Sequence, residues 1–533
     1  RLFINAAVCE GCGDCSVKSN CLSVLPKETA LGRKRQIDQS ACNKDFSCAN
    51  GFCPSFVTVL GGQLKKPAGV GSDSQQAFEP LPEPVLPSLD RPWNTVVTGV
   101  GGTGVLTITA LVAMAAHIEG KGCATMNQTG LAQKFGSVVS HVRVSSRQED
   151  IMAVRISAGE ADLLLGCDLV VTSTYDAMGK VAQGRTRAVV NDTEVPTAAF
   201  VLDPDAVFPT HAMKDKIETE VGAEGTHFIN STRVATALLG DSIAGNLFLL
   251  GFAWQQGLVP VSAAALEQAI ELNGVAVDFN KQAFLWGRRC AHQPQAVMAA
   301  AGLDGKAPAP PTLDEVIADR EGRLEDYQNK RYAERYRDFV QRVRDADPRA
   351  AEPDSLTAAV ARQLFRLMAY KDEYEVARLY SHGEFRRQLE AQFEGDFELR
   401  FNLAPPVMSK RDPATGELRK REFGPWIMSA FSWLARLRGL RGTRLDIFGY
   451  TEERRHERAD IADYRHTLEL ALDNLDPDNY DIARELAGLP ATVRGFGHVK
   501  ARNRAQWKLR SDRLVQRLRG VLPAEPVQFV DAA

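Results

Sequence analysis

The sequence has no apolar run long enough to span a bilayer. Its longest, Val105–Ile118, falls short of the roughly 20 residues that a membrane-spanning helix needs. It also has no excess of charge of one sign, because 64 basic and 67 acidic residues leave a formal net charge of −3. Such a balance gives no general attraction to nucleic acid or to an anionic membrane. We therefore expect a soluble protein that contacts neither.

Cysteine is scarce after residue 53, and histidine is missing before His117. Seven of the ten cysteines fall within the first 53 residues, and the rest of the chain holds only Cys123, Cys167 and Cys290. No signal peptide is visible, and so few cysteines elsewhere argue against a disulfide framework. This distribution is typical of a reducing compartment, and we expect the protein to be cytoplasmic.

The dense N-terminal cysteines predict a metal site. Cys9, Cys12 and Cys15 are each separated by two residues, as in the loops by which bacterial ferredoxins hold a [4Fe–4S] cluster. There a Cys-Pro from elsewhere in the module supplies the fourth thiolate, and Cys53 with Pro54 matches that place. Structural zinc is the alternative, but zinc sites more often use two paired Cys or His arms. The spacing therefore favours an iron–sulfur cluster.

Three further cysteines leave the number of clusters open. Cys21, Cys42 and Cys48 remain once the first cluster is filled, which is one thiolate short of a conventional second cubane. They could hold a second cluster with a non-cysteine or partner-chain ligand. Alternatively, Cys21 could compete with Cys53 for the first cluster. We expect one or two [4Fe–4S] clusters, with all seven cysteines as candidate ligands.

A glycine-rich loop at residues 99–104 follows a predicted strand and leads directly into the predicted helix Val105–Ile118. Its candidate cofactor-binding residues are Gly99, Gly101, Gly102 and Gly104. Glycines let the backbone approach a ligand closely, and free N–H groups at the helix start favour an anion such as pyrophosphate. A nicotinamide dinucleotide would also need an acidic residue about 20 positions further on, and residues 121–127 contain none. The loop could therefore bind another phosphate-bearing ligand, or it could be a purely structural turn.

A second candidate binding segment, residues 128–143, mixes polar and cationic side chains with apolar ones. Its candidate cofactor-binding residues are Thr129, Lys134, Ser140, His141 and Arg143. A loop that enters a strand with this mixture can line an anion-binding cleft. The alternative is that the valines of the segment face a core while the polar side chains are simply solvated.

Two proline-rich stretches, residues 63–92 and 302–312, are predicted linkers. They separate the cysteine module at 1–62 from an α/β pattern at 93–301 and from a helical region at 313–533. The α/β pattern has predicted strands at residues 95–98, 168–174, Arg187–Asn191 and 227–230. Strands that alternate with helices in this way predict a mostly parallel sheet.

Beyond residue 312, helical periodicity extends over residues 313–345 and 356–380. A hairpin is predicted with strands near residues 397–403 and 422–425, joined through residues 412–416. The basic stretch at residues 502–519 is more typical of one solvated helix face than of a nucleic-acid patch.

With these motifs in this order, nearly the whole chain resembles the C-terminal part of an indolepyruvate ferredoxin oxidoreductase, in its long single-chain bacterial form. That family belongs to the thiamine diphosphate-dependent 2-oxoacid:ferredoxin oxidoreductases. The N-terminal residues that carry the resemblance are 9–21, 32–38, 42–45 and 51–56. Residues 93–300 resemble the gamma domain of the family, and residues 493–500 resemble a signature near its C-terminus.

The resemblance implies an α/β multidomain fold. A ferredoxin-like [4Fe–4S] module would come first, followed by a Rossmann-like gamma domain with a mostly parallel sheet. A mainly helical α+β domain would end the chain. In this family a 2-oxoacid is decarboxylated on thiamine diphosphate, electrons pass through [4Fe–4S] clusters to ferredoxin, and coenzyme A collects the acyl group as co-substrate.

The resemblance also implies substrates and partners. Indolepyruvate and related aryl pyruvates are the implied substrates, and a homodimer is expected. The thiamine-binding Gly-Asp-Gly signature of the family is absent from this sequence, so thiamine diphosphate and Mg²⁺ are expected in upstream domains of the same polypeptide. No catalytic residue is assigned within the chain. Two other functions stay open: an iron–sulfur flavin or NAD(P) oxidoreductase, and a non-catalytic ferredoxin-fused scaffold.

Overall fold

The computed structural model describes residues 1–65, 78–130, 136–195, 203–305, 310–405 and 418–521. Lys134 and the predicted hairpin connection at residues 412–416 lie outside these described residues. No helix in the described ranges combines the length and the apolar character needed to cross a bilayer.

The cysteine-bearing region consists of short strands and one short helix. Its elements are β1 (Leu2–Ile4), α1 (Asp14–Ser19), β2 (Val24–Lys27), β3 (Lys34–Ile37), β4 (Phe56–Leu60) and β5 (Gln63–Leu64). Strands β2 and β3 form an antiparallel pair, and β1 pairs antiparallel with β4.

The middle of the chain is an α/β unit around a six-stranded sheet. Its strands are β6 (Trp93–Val100), β7 (Gly122–Thr129), β8 (Ser137–Ser145), β9 (Leu163–Gly166), β10 (Arg187–Asn191) and β11 (Thr226–Ile229). The spatial order is β11-β10-β9-β6-β8-β7. The first four strands in this order are parallel, whereas β8 and β7 join antiparallel at one edge. The prediction of a mostly parallel sheet is confirmed.

Helices cover both faces of this sheet. They are α2 (Val105–Ile118), α3 (Leu169–Thr172), α4 (Tyr175–Met178), α5 (Thr210–Val221), α6 (Ser231–Leu239), α7 (Gly245–Gln255), α8 (Ala263–Asn273), α9 (Val277–His292) and α10 (Pro294–Ala300). Helices α7 and α9 pack closely through glycines. A Cβ atom on Gly251 would lie 2.0 Å from the carbonyl oxygen of Phe284, and one on Gly287 would lie 1.9 Å from that of Phe248.

The strand predicted at residues 168–174 is wrong. The strand ends earlier, as β9, and the side chain of Asp168 accepts the N–H of Val171 at 2.8 Å to begin helix α3. A continuous apolar run fits a buried strand and a buried helix equally well, so periodicity could not separate the two.

The described part of the first predicted linker is more closely packed than expected. Phe78, Leu86 and Leu89 lie against the core between the sheet and helices α7 and α9. Phe78 also meets Trp286 edge-to-face, with ring centroids 5.2 Å apart. Proline-rich composition therefore indicated an extended path correctly but missed these apolar anchors.

The C-terminal part is rich in helices, with three short strands. The helices are α11 (Leu313–Tyr327), α12 (Lys330–Ala346), α13 (Leu356–Met368), α14 (Glu373–Ser381), α15 (Gly383–Gln392), α16 (Ile427–Arg436), α17 (Glu452–Asp473), α18 (Tyr480–Gly488) and α19 (Gly497–Leu518). The strands are β12 (Phe393–Glu394), β13 (Glu398–Leu403) and β14 (Arg421–Phe423). The two long helical stretches predicted here are each broken once, where Asn329 and Asp372 cap the helices that follow.

The predicted hairpin is confirmed, because β13 and β14 pair antiparallel. The sequence did not predict that this hairpin joins the sheet of the cysteine-bearing region. Strand β13 also pairs with β4, with Arg400 opposite Thr58, so the four-stranded sheet runs β1-β4-β13-β14. Strand β12 pairs with β5 in the same way. The sheet thus joins two segments that the sequence analysis assigned to separate domains.

Candidate functional site

Two glycines let the cysteine loops approach each other. A Cβ atom on Gly51 would lie 2.7 Å from the Cα atom of Cys15, a distance that real side chains do not reach. Gly11 has a φ of +69°, and a Cβ atom there would lie 2.2 Å from the carbonyl oxygen of Arg33. The carboxylate of Asp14 accepts the N–H of Phe52 at 2.7 Å and ties the two loops together.

Four thiols form one group: Cys9, Cys12, Cys15 and Cys53. Burial raises the pKa of Cys12 well above its ordinary value, and the thiols of Cys53, Cys9 and Cys15 raise this pKa further. Burial and then Cys9 and Cys53 raise the pKa of Cys15, and burial followed by Cys9 raises the pKa of Cys53 to about 11. Every pair among the four is therefore close enough to interact. Buried thiols of this kind stay protonated at neutral pH unless a cation or metal stabilises the thiolate.

The remaining three N-terminal cysteines form a second group. Burial and then the thiols of Cys21 and Cys42 raise the pKa of Cys48 to about 12, and Asp45 contributes in the same direction. The structure thus places Cys53 beside the first group and Cys21 beside the second. Asp45 is a non-cysteine side chain that stands with the second group.

No disulfide is formed by any of the ten cysteines. Among the described residues, no three His, Cys, Asp or Glu side chains converge on a point suited to one metal ion. A cubane cluster takes its thiolates one to each iron, so its ligands surround a cluster-sized space rather than a single ion.

The C-terminal region covers the first thiol group from one side. The ammonium of Lys371 donates to the carbonyl oxygens of Val8 and Cys9 at 3.1 and 3.2 Å. The ammonium of Lys420 donates to the carbonyl oxygens of Ala49 and Gly51, both at 2.8 Å. Two cations therefore sit against the backbone of the cysteine loops.

The charge of Lys420 is sensitive to the cysteines. Burial lowers its pKa to about 8, and the nearby thiolates of Cys53 and Cys15 oppose that shift. A negatively charged group at the first thiol group would therefore keep Lys420 protonated. The hydroxyl of Tyr380 also reaches this region, donating to the carbonyl oxygen of Pro54 at 2.6 Å.

The signature at residues 493–500 packs on the cysteine loops as well. Gly495 has a φ of +102°, and a Cβ atom there would lie 3.5 Å from Cβ of Cys12. The ring centroids of His498 and Phe52 are 4.9 Å apart, and a Cβ atom on Gly497 would lie 2.6 Å from the Phe52 ring. The sequence indicated this segment only by its resemblance to a family signature, without showing that it touches the cysteines.

The glycine loop lies at the end of β6, as predicted. Two of its amides are already used, because the N–H of Val100 donates to the Asp168 carboxylate at 2.6 Å and that of Gly101 donates to the Gly136 carbonyl at 2.7 Å. The amides of Gly102 and Gly104 have no acceptor among the described residues. Both have left-handed φ values, +89° and +92°, and a Cβ atom on Gly102 would meet open space. The loop leaves room for an anion at the start of α2.

The second predicted binding segment does not converge on this loop. Strand β8 places Ser137 opposite Val100, beside the loop, but places Arg143 opposite Asn94 at the other end of β6. Six residues of strand separate the two ends by about 20 Å. Arg143 donates to the side chain of Asn94 at 2.8 Å instead.

The other candidates of this segment have separate places. Thr129 ends β7 opposite Val138, near the loop. Ser140 and His141 are fully buried on opposite faces of the sheet, and neither the Ser140 hydroxyl nor Nε2 of His141 has a partner among the described residues. Nδ1 of His141 accepts the N–H of Ile156 at 3.2 Å, and burial lowers the pKa of His141 to about 4.

Sequence reasoning missed Asp168, Lys371, Tyr380 and Lys420. Asp168 was assigned to a strand, although an Asp just before an apolar run is a recognised helix-start signal. The other three come from the region of residues 313–513, where no local motif indicates contact with cysteines more than 300 positions away.

Two family models match the chain. Residues 94–290 match the family described as pyruvate ferredoxin/flavodoxin oxidoreductase. Residues 313–513 match a family of unknown function, DUF6537. The second match therefore includes every residue named above that covers the cysteine loops from the C-terminal side.

Curated relatives and solved structures each cover less than half of the chain. The indolepyruvate oxidoreductase subunit IorB of Thermococcus kodakarensis is 27% identical over 206 residues, which are 38% of this chain and 98% of that protein. The same subunit of Pyrococcus horikoshii is 28% identical with the same coverage. Pyruvate oxidoreductase subunit PORC of Thermotoga maritima is 18% identical, covering 37% of this chain and 96% of its own, with a TM-score of 0.27.

A 2-oxoglutarate:ferredoxin oxidoreductase from Magnetococcus marinus, solved with 2-oxoglutarate, coenzyme A and succinyl-CoA, is 17% identical, covering 45% of this chain and 38% of its own, with a TM-score of 0.28. Residues 94–290 match the pyruvate ferredoxin/flavodoxin oxidoreductase family, and the resemblance of the chain to the indolepyruvate-type oxidoreductases is confirmed.

Proposed function

We propose that the chain is the electron-transfer and coenzyme-contacting segment of a 2-oxoacid:ferredoxin oxidoreductase of the indolepyruvate type. The enzyme would convert an aryl pyruvate to an acyl-CoA and reduce ferredoxin, with thiamine diphosphate and Mg²⁺ bound by upstream domains. The observation that carries the proposal is the group of four mutually interacting thiols at Cys9, Cys12, Cys15 and Cys53, of which Cys12 is half-buried and the other three are buried. The relatives named indolepyruvate oxidoreductase support the substrate class.

The four thiols fit a [4Fe–4S] cluster in number, type and burial. When bound, such a cluster supplies one-electron transfer. Two neighbours would adjust the thiolates: the N–H of Gly11 reaches Sγ of Cys9 at 3.3 Å, and the hydroxyl of Ser55 lies 2.9 Å from Sγ of Cys53. Hydrogen bonds to the sulfurs stabilise the negative charge and raise the reduction potential.

Lys420 would act on the same site through charge. Its ammonium lies against carbonyl oxygens of the cysteine loops and would offset part of the negative charge that four thiolates bring, whereas Lys371 is paired with Glu10 and would serve to hold the loop of Cys9. Tyr380 and the segment around Gly495 would exclude water from that side. The second thiol group, with Asp45 beside it, would hold a second cluster.

The glycine loop would contact an anionic part of coenzyme A through the free amides of Gly102 and Gly104. A dinucleotide reading has less support. Strand β7 ends in Asn127, Gln128 and Thr129, so no carboxylate stands where a ribose would be held.

The test is metal analysis of the full chain, purified without oxygen, with Cys12→Ala and Cys290→Ala as a matched pair. Cys12 is half-buried among the N-terminal cysteines, whereas Cys290 is a buried cysteine of helix α9. We expect about four irons per cluster and a brown absorbance that dithionite bleaches, with Cys12→Ala losing one cluster and Cys290→Ala losing none. Zinc in place of iron, or an iron content that Cys12→Ala leaves unchanged, would overturn the proposal.

A further inference from the structure

A cavity of about 230 Å³ lies between the cysteine-bearing region and the C-terminal helices. Eight basic side chains line it: Arg33, Lys34, Arg320, Arg362, Arg366, Lys371, Arg494 and Lys500. Only three acidic side chains line it: Glu10, Glu457 and Asp460. This basic cavity is separate from the glycine loop, which lies in the α/β unit.

Most of these cations already have carboxylate partners. Lys371 pairs with Glu10 and Lys500 with Glu457. Arg494 lies 2.6 Å from a carboxylate oxygen of Asp205. The remaining paired ones are Arg33 with Glu28 and Arg320 with Asp319. All three acidic groups of the cavity therefore have cationic partners, because Arg454 of helix α17 also pairs with Glu457 and Arg504 of helix α19 pairs with Asp460.

Three cations of the cavity form no ion pair with any described residue: Lys34, Arg362 and Arg366. Lys34 is the most unusual of them, because it is only 4% exposed and its ammonium donates to no acceptor in the described part of the chain. The Glu10 carboxylate is near enough to act on Lys34, but it is already paired with Lys371. A buried ammonium without a partner carries a large desolvation cost. Its presence at a cavity wall therefore indicates a negatively charged group that belongs in the cavity.

The two arginines strengthen this argument. Arg362 and Arg366 stand at positions i and i+4 of helix α13, where like charges repel each other. Arg366 gives one N–H to the carbonyl of Ala491 at 3.0 Å and keeps its remaining donors. An anion between the two guanidinium groups would cancel their repulsion and be bound by both, since guanidinium groups bind phosphate and carboxylate through paired N–H bonds.

We propose that the basic cavity binds a phosphate-bearing ligand. Three unpaired cations exceed the single charge of a carboxylate, whereas a phosphate monoester carries about two negative charges and a pyrophosphate carries more. The volume lies below the roughly 300–1,000 Å³ of pockets for drug-sized ligands, so the cavity fits a small phosphorylated metabolite or the phosphate end of a nucleotide. Lys34 would form an ion pair with the phosphate, while Arg362 and Arg366 would bind the same phosphate from helix α13.

The test measures binding of inorganic pyrophosphate to the full chain by calorimetry and by thermal shift, at low ionic strength. We expect saturable binding that Lys34→Met and Arg362→Gln each weaken at least tenfold. Lys281→Met is the matched control, because Lys281 is a surface lysine paired with Glu271 at 2.5 Å, and it should bind as the parent chain does. Without ligand, Lys34→Met should also melt at a higher temperature than the parent chain, since it removes a buried charge that Glu10, shared with Lys371, offsets only in part.

Competition separates the two sources of phosphate. Coenzyme A that displaces pyrophosphate and loses affinity in Lys34→Met would identify the phosphate end of a nucleotide. Pyrophosphate binding that coenzyme A leaves unchanged would identify a small metabolite. The inference is overturned if pyrophosphate does not bind up to millimolar concentration, or if it binds equally to the parent chain, Lys34→Met and Arg362→Gln. Neither outcome depends on iron content, so the test is independent of the proposed electron-transfer role.

Discussion

The glycine loop and the cysteine site are assembled in different ways. The loop, its helix α2 and the strands beside it all come from residues 94–290, one continuous family domain. The cysteine site takes its thiols from the first 53 residues, but Lys371, Tyr380 and Lys420 reach it from more than 300 residues further along the chain. A site of the first kind can form with its own domain. The second kind requires two distant parts of the chain to meet.

The largest effect should come from breaking the support of the cysteine site within the C-terminal region. Arg441 is buried and donates to both carboxylate oxygens of Asp372, at 2.5 and 2.8 Å, and to the carbonyl oxygen of Tyr327 at 2.6 Å. Arg441→Met leaves the buried Asp372 carboxylate without its cation, with only the helix-capping N–H of Glu375 as a partner, which should cost about 3–5 kcal/mol of stability. Denaturation followed by thiol labelling measures it.

Identifying which cysteines are labelled shows which part of the chain Arg441→Met destabilises. N-terminal cysteines should become reactive at lower denaturant in Arg441→Met, while Cys167 and Cys290 should keep their protection because both lie in the core of the α/β unit, which Arg441 does not contact. Arg337→Met removes an exposed pair with Glu321 and should change stability by less than about 1 kcal/mol. Equal loss of protection at all cysteines would contradict the view that the two sites are assembled in different ways.

A pair of glycine substitutions gives the next effect. Gly51→Ala places a methyl group 2.7 Å from the Cys15 backbone, so the two cysteine loops must move apart, and overpacking of this kind costs about 1–3 kcal/mol. We expect the first cluster to be lost or bound weakly. Iron content and thermal denaturation measure both consequences.

Gly102→Ala in the other site meets open space and should cost only the strain of a left-handed φ, about 1–2 kcal/mol. Gly102→Val should in addition weaken coenzyme A binding, because its larger side chain enters the space beside the free amides. Gly184→Val is the control, since Gly184 also has a left-handed φ, +77°, and open space around it. Tight NAD(H) binding without any response to coenzyme A would reverse the assignment of the loop.

The smallest effect concerns acid stability of the α/β unit alone. Burial lowers the pKa of His141 to about 4, below the value near 6.5 of an unfolded chain. Between these two pH values the unfolded state binds a proton that the folded state does not, so stability falls as the pH drops from about 6.5 to about 4. His141→Gln should flatten this dependence in melting curves of the full chain. An unchanged pH profile would show that another group causes it.

Local patterns predicted the α/β unit well. Helix α2 and strand β10 have the predicted bounds, because apolar runs with clear breakers identify buried elements. The cysteine spacing indicated the ligand candidates, yet the split into the groups of Cys53 and Cys21 required three-dimensional packing. The contacts of Lys420 and Tyr380 with the cysteine loops could not be predicted from one sequence, since a hydrogen bond to a distant carbonyl produces no periodic pattern of residues.

Strand β13 completes the sheet of the cysteine-bearing region by pairing with β4. During synthesis Cys53 leaves the ribosome long before Gly495, and at about 5–20 residues per second the delay is on the order of 20 to 90 seconds. Throughout that interval the thiols lack their cover and remain open to oxidation or to capture of the wrong metal. A cluster of the kind proposed would therefore have to be delivered near the end of translation, and a pause late in the chain would extend the vulnerable period.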